Sequence, residues 1–521
     1  MRALTYIFLI ISSLSYAQIG GSHYDKQMDY AKSLIDIGDY KNAYNNLIEL
    51  YQIDSTDTEL NFWLGYTSFY ANRDKNIALP YLEKGKQFNG NANYLLGIIY
   101  HQKEDFENTQ RSFNAYKNLV FEEKMFTGQQ VENEIQKIKV AKELIKNKTD
   151  YKVENIGALV NSAYPDYAPI IYANGFKLMF TSRRSGTEAD KKDPNNEYFE
   201  DIYLSEKVNN EWQKPVNIGS PINSATHDAA VTLSQNDSVL YFYRTSPNLV
   251  GGDIFTSRWI NDKWSDPQLF NLNINSKTSS ESSLCMNPDG DIIYFSSNRE
   301  GGYGGKDLYC LRKLPNGAWS LPVNLGGMVN SPEDEDGPYV SLDGQTLFFS
   351  SKGHQNMGGY DLYSTQLDEY GNWTEPKNLG YPINSVADDI FISTLDQVHF
   401  FFSSNRSGGF GFADIYQTII PKEKNDFLIV KGRVIDHSTQ GSIPASITVL
   451  NKRNNKLEGL YKTDPASGKF IMILKPGEQY KMFVEAQGYY DENSIIDLTK
   501  SISLEDVLKT IRLTPKTELE E

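Results

Sequence analysis

Ile293-Tyr-Phe-Ser-Ser-Asn-Arg299 begins the stretch that decides the fold of this 521-residue chain. The loop Gly304-Gly-Lys-Asp307-Leu-Tyr309 follows it, and the segment from Trp319 to Ser331 ends the unit. Runs of aromatic and β-branched residues are typical of a strand buried on both faces, and paired glycines are typical of a loop. The unit is therefore predicted to be a set of antiparallel strands.

This unit recurs with a period of 52–62 residues across residues 149–423. Five copies of the aromatic strand are present, but only four Trp segments follow them, beginning at Trp212, Trp264, Trp319 and Trp373. Residues 155–162, before the first copy, match the tail of the Trp segment. We therefore expect the N-terminal segment to complete the last copy, closing a β-propeller of five blades, with six blades as the alternative.

The copies resemble the TolB-like, WD-type propeller repeat. The resemblance rests on the aromatic strand, the Gly-Gly loop and the Ser-Ser-Asn-Arg motif, which appears as Ser296–Arg299 and as Ser403–Arg406. One aspartate follows the loop in each copy, which predicts a hydrogen bond that braces the loop rather than a catalytic group. These aspartates are Asp201, Asp253, Asp307, Asp361 and Asp414.

Residues 18–148 show apolar residues at helical spacing, in units of roughly 31–35 residues. Small residues such as Gly65 and Gly97 allow paired helices to approach closely. Turns between helices are predicted at Gly38-Asp39-Tyr40 and at the equivalent positions of the next two units. The segment resembles the tetratricopeptide repeat. Residues 128–148 place Ile135 and Ile138 on one stripe and are predicted to be a capping helix.

Residues 424–513 change to short alternating strands separated by turn residues, which predicts a small β-sandwich. Gly432-Arg-Val-Ile-Asp436 and Ala486-Gln-Gly-Tyr-Tyr490 resemble the carboxypeptidase regulatory-like domain. Residues 514–521 form an acidic tail. The predicted fold class is therefore multidomain, with an α-helical solenoid, a propeller and a sandwich.

Residues 1–17 combine Arg2, an apolar run and small residues at Ser15 and Ala17, which predicts a signal peptide and export. The run is too short to span a bilayer, and no other stretch is long and apolar enough. With 51 Lys and Arg against 67 Asp and Glu, the net charge is −16, so nucleic acid is not an expected partner.

Two cysteines and one acidic cluster are the first candidates for chemistry. Cys285 and Cys310 are predicted on the first and third strands of one blade, too far apart for a disulfide, and are interpreted as buried thiols. Glu333-Asp-Glu-Asp336, like Asp289 and Asp291, could take Ca²⁺, but a solvated loop is the preferred interpretation.

The remaining motifs lead to no assigned catalytic, cofactor or metal residue. Gly301-Gly-Tyr-Gly-Gly-Lys306 lacks the Ser or Thr of a phosphate-binding loop and is interpreted as structural. The sequence contains neither a Gly-x-Ser-x-Gly elbow nor a separate hydrolase domain. Six histidines lack metal-binding spacing: His23, His101, His227, His354, His399 and His437.

The order of segments resembles the periplasmic outer-membrane-protein-A-like proteins of type IX secretion and gliding motility. This resemblance implies a non-enzymatic periplasmic scaffold that binds an outer-membrane protein. The family's peptidoglycan-binding domain is missing from the sequence, so contact with the cell wall is not expected. Two alternatives stay open: a module binding an envelope glycan, peptide or Ca²⁺, and a propeller enzyme acting on glycans or peptides.

Overall fold

The computed structural model describes residues 23–120, 124–186, 192–193, 196–234, 237–270, 273–368, 370–394, 396, 398–420, 428–499 and 508–516. The predicted signal peptide, residues 1–17, lies outside the described residues, as do the predicted domain boundary at 423 and residues 517–521 of the tail. The chain divides into two compact units, Met1–Ile420 and Pro421–Glu521, and each is described by itself.

The first unit begins with helices, and the part they form is here called the helical segment. Asp39, Asp57 and Asp105 cap three of the helices by accepting backbone N–H groups with their side chains. Thr127 and Gln130 form a reciprocal capping box at the start of the last one. The helices are α1 (23–36), α2 (Tyr40–Tyr51), α3 (Thr58–Ala71), α4 (Leu79–Gly85), α5 (Ala92–Gln102), α6 (Phe106–Lys117) and α7 (Gly128–Lys146).

Glycines set the closest approaches between these helices. A Cβ on Gly97 of α5 would lie 2.7 Å from the ring of Phe113 on α6, and one on Gly65 would lie 2.7 Å from the side chain of Leu82. Both glycines were expected from the sequence to allow close packing, and this expectation is confirmed. Phe113 is fully buried, so its ring has little room to give way.

Gly97→Ala is expected to lower the free energy of unfolding by about 1–3 kcal/mol, because an added methyl group overpacks the interface with Phe113. The control is Gly128→Ala at the start of α7, where an added Cβ meets nothing within 4 Å. That change is expected to be neutral or slightly stabilising. Urea unfolding followed by circular dichroism measures both, and equal effects at the two positions would contradict the packing argument.

The rest of the first unit is made of strands. In chain order they are β1 (Val153–Asn155), β2 (Asp166–Tyr172), β3 (Lys177–Ser182), β4 (Asp201–Val208), β5 (Glu211–Trp212), β6 (Val216–Asn217), β7 (Asp228–Leu233), β8 (Val239–Thr245), β9 (Gly252–Ile260), β10 (Lys263–Trp264), β11 (Gln268–Leu269), β12 (Ser283–Met286), β13 (Ile292–Ser297), β14 (Asp307–Arg312), β15 (Val323–Asn324), β16 (Glu335–Val340), β17 (Thr346–Ser351), β18 (Asp361–Gln366), β19 (Lys377–Asn378), β20 (Asp389–Thr394), β21 (His399–Ser404) and β22 (Asp414–Ile419).

These strands form five antiparallel sheets among the described residues, and the sheets close into a ring. Their first strands, β2, β7, β12, β16 and β20, contact one another in cyclic order, and β20 contacts β2 again. β1 pairs with β22 in the last sheet, with Val153 opposite Thr418. The prediction that the N-terminal segment completes the last copy of the repeat is therefore confirmed.

The Trp segments are more irregular than the single strands predicted for them. In the first sheet, β5 contains Trp212 and β6 begins only at Val216, because Pro215 interrupts the ladder between them and has no N–H to donate. Prolines stand at the equivalent positions in the next three sheets: Pro267, Pro322 and Pro376.

A carboxylate at the start of each inner strand ties the sheets together. In four sheets an arginine binds it, as Arg184 binds Asp166 at 2.5 Å and Arg244 binds Asp228 at 2.6 Å. The corresponding pairs in the third and fifth sheets are Arg299–Glu281 and Arg406–Asp389. The fourth sheet has Glu335 but no such arginine among the described residues.

The helical segment packs on the ring through α5 and α7. His101 Nε2 donates to the carbonyl oxygen of Met357 over 2.7 Å. Val140 and Ala141 of α7 share a buried cluster with Met357 and Val386. Burial lowers the pKa of His101, so the neutral imidazole is the form that fits this contact.

The second unit contains two sheets that share one core. β26–β23–β29 form one sheet, in which β23 and β29 are parallel, and β25–β24–β27–β28 form the other. Val430, Phe470 and Met482 are among the core residues. The strands are β23 (Leu428–Asp436), β24 (Ser446–Asn451), β25 (Leu457–Lys462), β26 (Lys469–Leu474), β27 (Gln479–Glu485), β28 (Glu492–Asp497) and β29 (Leu508–Leu513).

Both cysteines are free and buried, as predicted. Tyr294 on the middle strand lies opposite Cys285 on one side and opposite Cys310 on the other. Burial raises the pKa of Cys285 to about 12 and also raises that of Cys310. Within the described residues, no helix is both long and apolar enough to cross a membrane.

Candidate functional site

A cavity of about 200 Å³ lies where the five inner strands converge, and it is here called the central cavity. Backbone and side chains from every inner strand line it. The lining comprises residues 167–170, 229–232, 282–285, 337–339 and 391–393, together with Glu200 and Tyr243. Because each sheet contributes, the cavity is a product of the ring as a whole.

The inner strands contain β-bulges where they line this cavity. The pairing register shifts between Tyr167 and Ile170 in β2, and similar shifts occur in β7, β16 and β20. Ala168 (φ 53°) and Phe391 (φ 59°) adopt left-handed backbone at two of these bulges. Such conformations cost energy for residues other than glycine and are concentrated at functional sites, where bulges re-aim side chains.

The carboxylate of Asp336 lies directly behind the cavity wall formed by Ser283 and Gly337. It accepts hydrogen bonds from Lys306 Nζ at 2.7 Å, from the Gly337 backbone N–H at 2.8 Å and from the Ser283 hydroxyl. Burial alone would raise the pKa of Asp336, but the charge of Lys306 and these hydrogen bonds outweigh it. The pKa of Asp336 is therefore held below its ordinary value.

Glu200 is the carboxylate that lines the central cavity itself. Its Oε1 lies 3.4 Å from Arg183 Nε, and its Oε2 lies 3.4 Å from His227 Nδ1. Burial opposes ionisation of Glu200, but the hydrogen bond from His227 and the charge of Arg183 lower its pKa overall. Tyr167 also bonds to Glu200, and burial together with that carboxylate raises the pKa of the tyrosine.

Tyr243 lines the central cavity and interacts electrostatically with Glu200 and with Lys306, the partner of Asp336. Burial raises the pKa of its hydroxyl, and Glu200 adds to the shift. The hydroxyl in turn interacts electrostatically with Lys306. The central cavity therefore presents one carboxylate, a second immediately behind its wall and a phenol between them.

These charges lie at positions that the repeat itself does not require. Asp336 occupies the second position of the inner-strand motif, where the other copies have Tyr167, Ala229, Ser282 and Ile390. Glu200 and Lys306 precede the recurrent aspartate, where the other copies have Gly252, Tyr360 and Ala413. Motif searching considered Asp336 as a Ca²⁺ ligand and Lys306 as part of a phosphate loop, and it missed Glu200, which a position-by-position comparison of the five copies would have found.

The interpretation of residues 333–336 as a solvated loop holds for Glu333, which is exposed, and is wrong for Glu335 and Asp336. Glu335 is fully buried and Asp336 is 3% exposed, because both begin β16 and find partners inside the ring. Glu335 accepts hydrogen bonds from the hydroxyls of Ser331 (2.5 Å) and Ser351 (2.6 Å). No cluster of three or more potential metal ligands occurs within the described ranges.

The loop before the recurrent aspartate is braced as predicted in three copies, those of Asp307, Asp361 and Asp414. Asp307 accepts the backbone N–H groups of Tyr303 (2.6 Å) and Gly304 (2.9 Å). Asp414 accepts those of Phe410 and Gly411 in the same way. The glycines of the loop that ends at Lys306 therefore have a structural role, whereas the lysine side chain binds the carboxylate of Asp336.

Of the six histidines, the structure places His227 beside a cavity-lining carboxylate. His101 and His354 bind backbone carbonyl oxygens, and His399 binds Asp396. Arg312 opposes the shift at Cys310, but burial still raises the pKa of both thiols, and Cys285 contributes to the cavity wall. Of these four histidines, His227 is the one that contacts a cavity-lining carboxylate.

The ring resembles solved β-propeller structures in the arrangement of its strands. No family model and no curated protein matches the chain. A structure described as a glycoside hydrolase matches with 11% identity and a TM-score of 0.38, covering 54% of this chain and 95% of its own. The α-L-arabinofuranosidase from Lactobacillus brevis matches with 12% identity and a TM-score of 0.34, covering 51% and 92%. The GH43 endo-arabinanase from Bacillus licheniformis matches with 12% identity and a TM-score of 0.33, covering 50% and 95%.

These matches correct the expectation of a non-enzymatic scaffold. That expectation relied on the family resemblance and on finding no catalytic motif, whereas the matched structures are described as a glycoside hydrolase, an α-L-arabinofuranosidase and an endo-arabinanase. The likeness concerns the fold, and the residues of the central cavity are what bear on activity in this chain.

Proposed function

We propose that this protein binds a carbohydrate in the central cavity and cleaves a glycosidic bond there. The observation that carries the proposal is the placement of Glu200 and Asp336, two carboxylates that the repeat does not need, at one cavity. Paired carboxylates are the groups that most glycoside hydrolases use.

The walls of the cavity suit a sugar ring. Tyr167 stacks on Phe391 with a centroid distance of 6.3 Å, and Tyr243 and Tyr339 add further aromatic surface. Sugar rings present apolar C–H faces that pack on aromatic side chains, while their hydroxyls need polar partners. Ser282 supplies such a hydroxyl at the wall.

The charged groups divide between two roles. Asp336 is kept ionised by Lys306 behind the cavity wall, from where its negative charge stabilises positive charge that develops at the reacting carbon. Glu200 faces the cavity, and because its pKa is held below the ordinary value it is the ionised carboxylate that can accept a proton there as a general base. Arg183 fixes the orientation of Glu200 from the opposite side.

The test incubates the full chain with plant and bacterial-envelope polysaccharides, and measures both binding by calorimetry and release of reducing ends. Glu200→Gln is expected to reduce the rate on a cleaved glycan at least 100-fold while binding is retained, because it removes the proton-transfer group. Asp336→Asn is expected to abolish turnover similarly.

Matched exposed carboxylates provide the controls. Glu206→Gln removes a carboxylate on β4 that is paired with Lys177 at 2.9 Å, away from the cavity. Asp262→Asn changes an exposed turn residue whose left-handed backbone (φ 60°) suits asparagine equally well. Both variants should keep full activity. Absence of binding and cleavage with every glycan, or an unchanged rate in Glu200→Gln, would contradict the proposal.

The same proposal includes a finer architecture and location. The cyclic contacts of the five inner strands support a five-bladed propeller rather than six blades. We assign the helical segment to tetratricopeptide-like repeats and the second unit to the carboxypeptidase regulatory-like type, on the sequence motifs given above. Export to the periplasm and an outer-membrane protein as partner are proposed on the same motifs, and fractionation of the cell envelope tests both.

A further inference from the structure

A second cavity of about 250 Å³ lies between the helical segment and the first sheet of the ring. Tyr164, Tyr198 and Phe412 give it aromatic walls, and the rings of Tyr164 and Tyr198 meet edge to face at 5.7 Å. Arg73, from the loop after α3, lies over the ring of Phe412 at 5.4 Å. The cavity is therefore assembled from both parts of the unit.

This second cavity adjoins the central cavity. Arg183 lines the second cavity and also contacts Glu200, which lines the central one. Pro165 lines the second cavity, while Tyr167, two residues later in the same chain segment, lines the central one. Arg183 therefore lies between the two cavities, and the chain segment 165–167 contributes to both.

Most charges around the second cavity are already paired. Glu197 binds both Arg73 and Arg183. Arg183 is further engaged by Asp193 at 3.3 Å and by Glu200 at 3.4 Å. The two arginines together face three carboxylates, so neither supplies a free positive charge to a ligand.

Lys192 is different. Its Nζ lies 5.1 Å from the centroid of the Tyr198 ring, and no carboxylate among the described residues lies within ion-pair distance of it. The side chain is exposed and lines the cavity, so its charge remains available. The aromatic walls, together with a cation that has no anionic partner among the residues described, match a sugar ring that carries a single negative charge.

We infer that the second cavity is a further sugar subsite and that it selects a carboxylate-bearing sugar, so the glycan is an oligosaccharide containing a uronic acid unit. This inference rests on the proposed glycan-binding function. Lys192 is the residue that recognises the carboxylate, and Tyr198 or Tyr164 supplies the face on which the ring packs.

Calorimetry with matched trisaccharides tests the inference: glucose, galactose and mannose trisaccharides, and the corresponding trisaccharides of their uronic acids. At low salt, the acidic member of at least one pair is expected to bind about fivefold more tightly than its neutral partner, which is the size of one partly exposed charge pair. Lys192→Gln should remove this preference without weakening the neutral ligand. The preference should also shrink as salt is added.

Lys207→Gln is the matched control, because Lys207 lies over the ring of Trp212 at 4.6 Å, a similar lysine–aromatic contact outside the cavity. It should leave the preference intact. Equal affinity for acidic and neutral members, or a preference that survives Lys192→Gln, overturns the subsite while leaving the proposed function standing. Failure of every trisaccharide to bind overturns the subsite, and the proposed function falls with it when the polysaccharides also neither bind nor are cleaved.

Discussion

Replacing Arg406 by methionine is expected to lower the free energy of unfolding by about 3–5 kcal/mol. Its guanidinium binds the carboxylate of Asp389, which is fully buried, and donates to the carbonyl oxygens of Pro382 (2.9 Å) and Ile383 (2.6 Å). Methionine retains much of the aliphatic length but leaves all three oxygens without this donor. An uncompensated buried carboxylate is the largest part of the expected loss.

Denaturation by urea, followed by circular dichroism, measures this loss. The control is Arg312→Met at the end of β14, where the arginine is exposed. That change is expected to stay within about 0.5 kcal/mol. If the two variants lose the same stability, the buried ion pair does not support the fifth sheet in the way described here.

Glu335→Gln is expected to make the protein more stable than wild type at pH 8, by up to about 3 kcal/mol, and to give no such gain at pH 5. Burial without an arginine raises the pKa of Glu335 from 4.5 to about 7, although hydrogen bonds from Ser331 and Ser351 oppose the shift. A carboxyl whose pKa is raised in the folded state stabilises that state below pH 4.5. This contribution is lost as the pH rises through 7, and glutamine, which does not ionise, removes the loss.

Glu281→Gln is the matched variant, because Glu281 holds the same position in the third sheet but binds Arg299 at 3.3 Å. It is expected to destabilise the protein at pH 8, since the arginine loses its anion. Thermal unfolding at pH 5, 6, 7 and 8 distinguishes the two. A stability difference between Glu335→Gln and wild type that does not vary with pH would refute the missing-arginine explanation.

Repetition explains what could be predicted from the sequence. The aromatic strands, the braced loops and the strand supplied by the N-terminal segment could all be predicted by comparing the copies. A feature present in one copy is expected at the same position in the others. The role of Gly65 and Gly97 was also predictable, because a glycine at helical spacing commonly allows two helices to pack closely. The thiol of Cys285 was placed by its strand position.

Only part of the site was predictable, because the residues that contact one another there belong to different copies of the repeat. Asp336 is surrounded by acidic residues in sequence, which suggests a solvated loop, and its counterion Lys306 belongs to the preceding sheet. Glu200 meets His227 across two neighbouring sheets. The contact between His101 and Met357 depends on how the helical segment lies on the ring, which no local pattern encodes.

The pairing of Val153 with Thr418 has a consequence for how the chain is made. The strand that completes the last sheet leaves the ribosome first, and its neighbour emerges only when nearly the whole ring has been synthesised. Until then β1 presents an unpaired edge, which is a template for association with other chains. The first unit therefore cannot finish folding in step with its synthesis, and a holding factor that covers Val153–Asn155 would protect it during that interval.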